Sequence, residues 1–325
     1  MRWPASPPVE VGHLFYGNPD FGRNRGAVRI VEQGMTRLRG TLLAAAVPLF
    51  LISACAQTAG NSAAASPDSR SSSPAPYGGA DELVLRVESF GGFVPAEQNI
   101  GRIPAVSIYA DGRMISEGPT TMQYPGPALP NLQEQLLTPE MVQDLVAKGK
   151  AAGVKNGADF GYPNIADAPS TRVVAGDQSV SVVALSEAQA SDPRLTEAQR
   201  TARTKLAAYV KTLRELSAAP GVAAAVAYQP AAVAALARVY VEPQADQPKS
   251  PEVAWPGPAL PGTSMNPGLG IGCVDVTGAD TAKVLTAAKT ATTITPWTSG
   301  NAKWSITFRP LLPEEKSCAA LKGAR

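Results

Sequence analysis

A chain of 325 residues with 29 Lys/Arg against 27 Asp/Glu and 44% apolar residues has ordinary globular composition and room for two modest domains. Its formal charge of +2 is spread without arginine clusters, so the basic footprint of a nucleic-acid surface is missing and no nucleic-acid partner is expected. The single histidine is His13, so after that position Ser–His and Cys–His nucleophilic pairs and histidine-ligated zinc or haem sites have nothing to be built from.

Residues 1–34 hold Pro4, Pro7, Pro8 and four arginines but no apolar run, and are not expected to fold into a domain. Either translation starts at Met35 and they are an extension of the gene model, or they form an unusually long basic leader. From Met35 the order is basic residues (Arg37, Arg39), an apolar run from Leu42 through Ile52, the small residues Ser53 and Ala54, then Cys55. That is the plan of a secretory signal over 35–54, and the run is shorter than the about 20 apolar residues a membrane-spanning helix needs. Leu51-Ile52-Ser53-Ala54-Cys55 resembles the lipobox of bacterial lipoprotein precursors. The resemblance implies diacylglyceryl and palmitate attachment at Cys55, cleavage before it, and anchoring to the lipid bilayer on the extracytoplasmic face of the cell membrane. The alternative is a plain signal peptide with an incidental cysteine. Removing 1–54 takes six basic and three acidic residues, leaving 23 and 24, a net charge near −1, and it takes the only histidine as well.

Residues 55–80 are dominated by Ala, Ser, Pro and Gly, including Ser71-Ser72-Ser73-Pro74-Ala75-Pro76. Such a stretch cannot offset its ordering entropy and is expected to be a disordered tether reaching about 25–30 Å.

A first α+β domain is expected over 81–217. Leu83–Val87 and Pro104–Tyr109 are strand-like, and Asp111-Gly112 turns the chain into Arg113–Ile115. Thr138-Pro139-Glu140 is a helix start, with Met141, Val142, Leu145 and Val146 on one face and Gly153 at the end. Two more strands flank Gly176-Asp177 at 171–174 and 179–185. A longer helix opens near Asp192-Pro193, with Leu195, Ala202, Leu206, Tyr209, Leu213 and Leu216 on its apolar face. The pattern predicts an antiparallel sheet with helices on one face.

Residues 218–230 make a linker, and 231–325 a second, smaller α+β domain. It should hold a strand within 231–241, a helix capped by Asp280 carrying Val284, Leu285 and Ala288, and a strand at 304–308 stopped by Pro310 and Pro313. With Cys55 lipidated, Cys273 and Cys318 are an even pair in an oxidising compartment, favouring a disulfide worth roughly 4 kcal/mol. Two free buried thiols are the other reading.

One segment recurs. Tyr124-Pro125-Gly126-Pro127-Ala128-Leu129-Pro130 and Trp255-Pro256-Gly257-Pro258-Ala259-Leu260-Pro261 are identical at six of seven positions, and the seventh is aromatic in both. They are either recognition loops, with Tyr124, Pro125, Leu129, Trp255, Pro256 and Leu260 as the contacting residues, or two rigid loops that pack on their own domains.

No nucleophile elbow, penicillin-binding Ser-Lys motif, P-loop or EF-hand loop is present. Gly268-Leu269-Gly270-Ile271-Gly272 is glycine-rich but lacks the strand-then-helix context of a dinucleotide site, and reads as a turn leading into a strand. No cofactor and no metal site is expected. The open catalytic option is a carboxylate pair, with Glu97, Asp159 and Asp167 as loop candidates that nothing in the sequence pairs.

The chain resembles uncharacterised lipoproteins of actinobacteria. The resemblance rests on Leu83-Val84-Leu85-Arg86-Val87-Glu88-Ser89-Phe90-Gly91-Gly92-Phe93, on Tyr124–Pro130, and on Phe308-Arg309-Pro310-Leu311-Leu312-Pro313-Glu314-Glu315. It implies a location and no activity. The expectation is a non-enzymatic, membrane-anchored module that binds an envelope protein or a small ligand. A carboxylate-dependent envelope hydrolase and a purely structural envelope component are the alternatives.

Overall fold

The computed structural model describes residues 78–189 and 191–322. His13, the signal segment, Cys55 and nearly all of the tether lie outside them.

The first half of the described chain runs β1 (Leu83–Gly91), α1 (Ala96–Ile100), β2 (Val106–Tyr109), β3 (Arg113–Glu117), β4 (Leu132–Leu136), α2 (Pro139–Ala151), β5 (Pro169–Ala175), β6 (Gln178–Val183), α3 (Glu197–Arg214) and β7 (Val226–Ala227). Its strands form one antiparallel sheet of order β6-β5-β1-β2-β3-β4-β7. Alternation along β1 sets the two faces. Leu85 pairs with Ile108 on one side and Ala175 on the other, and Ile108 pairs with Met114, so one buried apolar row crosses four strands. Arg86 and Ser107, one residue on in register, point to the opposite face. The apolar rows pack against α2 and α3, which lie together on the first face, as expected.

Both helices start where local chemistry puts them. Thr138 caps α2 by accepting from the Met141 N–H, Pro139 occupies the first turn, and Lys148 and Lys150 sit at the negative end. For α3 the expected start near Asp192-Pro193 is four residues early. Thr196 and Gln199 form a reciprocal capping box, while Asp192 accepts from the backbone of Arg194 and Asn164 in the preceding turn. Where α2 crosses the sheet, Gly149 is there because nothing larger fits. A Cβ would sit 2.8 Å from both the Ala175 methyl and the Tyr209 Oη. Tyr209 in turn donates to the Leu145 carbonyl at 2.8 Å. Gly149→Ala is therefore expected to destabilise by about 1–3 kcal/mol in urea unfolding, despite the gain in helix propensity of about 1 kcal/mol.

The second half runs β8 (Ala232–Val239), β9 (Val253–Ala254), β10 (Thr263–Asn266), β11 (Ile271–Thr277), α4 (Ala279–Ala288), β12 (Trp297–Ser299) and β13 (Ala302–Pro310). The sheet order is β10-β11-β8-β13-β12-β9, antiparallel apart from the β12–β9 pair. The glycine-rich run before β11 is a short turn, Pro267–Leu269, with Gly270 left-handed. Asp280 does not cap α4. Gly278 holds that position at φ 58°, and Asp280 pairs with Lys283 in the first turn. α4 covers one face of the sheet, over Val233, Val274, Trp297 and Phe308. On the other face, α1 and the C-terminal turn Cys318–Lys322 pack on Leu236, Ile271 and Cys273. Cys273 and Cys318 are joined in a disulfide, tying β11 to that turn. The fold is thus α+β, with an antiparallel first sheet, a second sheet and the disulfide in its C-terminal part.

Both sheets belong to one compact unit. The segment 218–230, a linker on sequence grounds, carries β7, which pairs with β4 and widens the first sheet. Tyr228, just after β7, donates its hydroxyl to the Leu311 carbonyl at 2.8 Å beyond the second sheet.

Candidate functional site

The two proline-rich copies have different surroundings. In the second, the Trp255 ring lies over Gly257, where a Cβ would come within 2.7 Å of it, and its Nε1–H donates to the Pro258 carbonyl at 2.6 Å. Trp255 meets Trp297 edge-on at 5.7 Å between ring centres, and Trp297 meets Phe308 at 5.4 Å. Leu260 packs on the same cluster, while Pro256 is half-buried. The first copy belongs to the β3–β4 connection of the first sheet, yet it docks on the second. The Ala128 N–H donates to Ala291 and the Thr293 N–H to Gly126, both at 3.0 Å. Ala128 and Leu129 join the cluster that holds Trp255. Tyr124, by contrast, is 72% exposed, with Pro125 half-buried beside it. The cis peptide bond lies at Tyr124–Pro125 in one copy and at Leu260–Pro261 in the other. Five of the six proposed recognition residues are thus partly or fully buried, and Tyr124 is the free one.

Leu129 and Pro130 also open onto a groove of about 620 Å³. One wall is the β4–β7 margin of the first sheet, from Asn131 and Leu132 to Ala227, Tyr228 and Gln229. The other is the α4 face of Thr281, Ala282, Leu285 and Thr286, closed at one end by Lys289. Its size is that of a small-ligand or short-peptide site. Lys289 is the one charged side chain among its lining residues, and none of them is Asp or Glu. Thr281 is turned to the protein, donating to the Val276 carbonyl at 3.2 Å.

A second cluster lies between the sheets and is built from the segment after β13. Glu314 accepts from Arg86 of β1 and, at 2.7 Å, from the Tyr109 hydroxyl of β2. Glu315 accepts from the Arg309 guanidinium at 2.7 Å and from the Leu312 N–H at 2.8 Å. Lys316 reaches Asp81 at 3.3 Å, and Arg113 meets the same carboxylate at 2.8 Å. Arg309 has a side chain only 2% exposed. Its ladder neighbour on β8 is Ala234, small enough to leave room for the guanidinium. Burial lowers the Arg309 pKa, with Glu315 opposing the shift. Burial also raises the Tyr109 phenol, and the Glu314 charge adds to that, so the hydroxyl stays a donor. For Arg86 burial works against the charge, but Glu314 and neighbouring groups more than offset it and the pKa rises. The Phe308–Glu315 motif is legible as a sequence, but its role as a clasp between sheets is not, because Arg86 and Glu314 are 228 positions apart.

The acidic candidates fall in separate places. Glu97 pairs with Arg238. Asp159 accepts from the Gly161 N–H and the Gln199 side chain, and these bonds hold its carboxyl below the ordinary range. Asp167 takes φ 57° and offers its backbone carbonyl to the Phe93 N–H. No hydrogen bond or ion pair links any two of the three among the described residues. Nor, among those residues, do three His, Cys, Asp or Glu side chains converge as a metal site would require, and no helix there is long and apolar enough to cross a membrane. Comparison with known proteins gives no matching family model, no matching curated protein and no matching solved structure.

Proposed function

We propose that this protein is a lipid-anchored, non-enzymatic binding module of the cell envelope, held at the outer face of the cytoplasmic membrane through Cys55 and taking its ligand in the groove between β7 and α4. The groove is the observation that carries the reading: both halves of the fold contribute a wall, and the lining is neutral apart from Lys289. The lining offers hydrogen-bonding groups and small apolar patches without a carboxylate to act as acid or base, which suits holding a ligand rather than cleaving one. The lipobox-like Leu51–Cys55 and the Ala/Ser/Pro-rich composition of 55–80 support the address.

The test uses a thiol placed in the groove. Thr286→Cys in the full chain should be labelled by a maleimide several-fold more slowly in the presence of solubilised cell envelope, while Lys211→Cys on α3 should be unaffected. Equal labelling of Thr286→Cys with and without envelope would remove the groove as the site. In the same cells, Cys55→Ser should abolish incorporation of labelled palmitate and free the protein from the membrane fraction.

A further inference from the structure

We infer that the groove takes an extended peptide, added as a further strand along β7, with an acidic group of the peptide at Lys289. This rests on the groove being the ligand site and goes on to name what enters it.

The edge of the first sheet borders the groove. β7 is its last strand and is paired only with β4. The Tyr228 N–H donates to the Leu132 carbonyl, so the backbone at Tyr228 is turned towards β4. In an antiparallel ladder the alternate residues face the other way. Ala227 and Gln229 therefore direct their N–H and C=O away from β4, where the Ala227 carbonyl meets the Gln229 side-chain amide at 3.4 Å, a long bond an incoming strand can displace, and both residues line the groove. An open edge is a template for another extended backbone, and main-chain hydrogen bonds are what such a ligand supplies.

The dimensions agree. From Thr281 to Lys289 the wall spans nine residues, and the steps between them cover about 12 Å at ~1.5 Å each. An added strand rises about 3.3 Å per residue, so three to four peptide residues fit alongside. In that setting alternate side chains of the peptide would point to opposite sides, and Leu129 and Leu285 supply apolar contact for one set. Lys289 is exposed and has no ion-pair partner among the described residues, and no acid stands in the lining, so an acidic group on a ligand can pair with it there. A sugar is a poorer match. The groove has one aromatic residue, Tyr228, and its hydroxyl is already committed to Leu311.

A random octapeptide library with free C termini, panned on the full chain, provides the probe. Selected peptides should carry a carboxylate at a fixed distance from an extended core. N-methylation should weaken binding tenfold or more at alternate residues only, because only alternate N–H groups face β7. Ala282→Trp, at an exposed position of α4, should fill the groove and reduce binding at least tenfold. Ala227→Pro, which removes an outward N–H and no bond to β4, should do the same. Amide exchange at Ala227 and Gln229 should slow on binding. Far-ultraviolet circular dichroism checks that both variants fold.

Three results would overturn the inference. Peptides that bind Ala282→Trp as tightly as the parent lie elsewhere on the surface. A flat N-methylation profile means no strand is added. If no peptide is selected but solubilised envelope glycan binds and Ala282→Trp blocks it, the groove remains the ligand site and only the peptide class is wrong.

Discussion

Glu315→Ala is expected to cost about 3–5 kcal/mol in urea unfolding, among the largest effects of any single substitution in the chain. The removed carboxylate neutralises Arg309, whose side chain is 2% exposed, and also caps the Leu312 N–H. Without it a guanidinium that stays charged at neutral pH is left buried and unpaired. The Arg309 Nε is buried and already lacks a hydrogen-bond partner among the described residues. The double variant Arg309→Met/Glu315→Gln should lose much less than Glu315→Ala, because removing both charges also removes their desolvation cost. A double variant as unstable as Glu315→Ala would mean that the pair contributes through shape rather than charge. Glu314→Gln should have a smaller effect than Glu315→Ala, since Glu314 is more exposed, Arg86 keeps its bond to Ser107, and the Gln carbonyl can still accept from Tyr109.

The second large effect is the loss of the disulfide. Cys273→Ser/Cys318→Ser is expected to lower stability by about 4 kcal/mol, the chain-entropy value for a loop of 45 residues. Reducing agent should do the same to the parent and nothing to the double variant. The loss should be local as well as global. Cys318 is three residues beyond Glu315, and its N–H donates to Asp275 of β11 at 2.5 Å. Amide exchange in 311–322 should therefore speed up before exchange in β1, β2 or β5. Uniform acceleration across both sheets would show that the tail is held by the Arg–Glu clasp alone.

The parts legible in the sequence are those whose signal is local. Thr138-Pro139 starts α2, Asp111-Gly112 turns β2 into β3, and the alternation of Trp304–Phe308 marks β13. The cysteine pair is legible because, with Cys55 read as a lipidation site, only Cys273 and Cys318 remain to pair. Short edge strands were not readable. β4 is Leu-Gln-Glu-Gln-Leu, and its fourth residue, Gln135, is buried with its amide donating to the carbonyls of Ser217 and Ala223, far along the chain. β7, β9 and β12 have two or three residues each, and pairing alone makes them strands. The candidate site fared similarly. The repeat drew attention to Leu129, which does border the groove, but the wall of α4 carries ordinary threonines and alanines. A groove lined by one lysine, otherwise neutral side chains and an edge strand leaves no motif. Heptapeptides alike at six of seven positions also give no hint that one copy buries its aromatic residue, Trp255, and the other exposes Tyr124, since that choice belongs to what each loop meets.

The docking of the first repeat on the second sheet has a consequence for the order of events as the chain is made. Synthesis proceeds from the N terminus, so Ala128 and Leu129 emerge about 125 residues before Trp255. Until Trp255, Trp297 and Phe308 follow, those two side chains have no cluster to join. The first sheet can assemble early, but it carries an unfinished loop that is part of someone else's interior. The protein is therefore a single folding job, in which the earlier copy of the heptapeptide waits for the later and for the strands that complete its cluster.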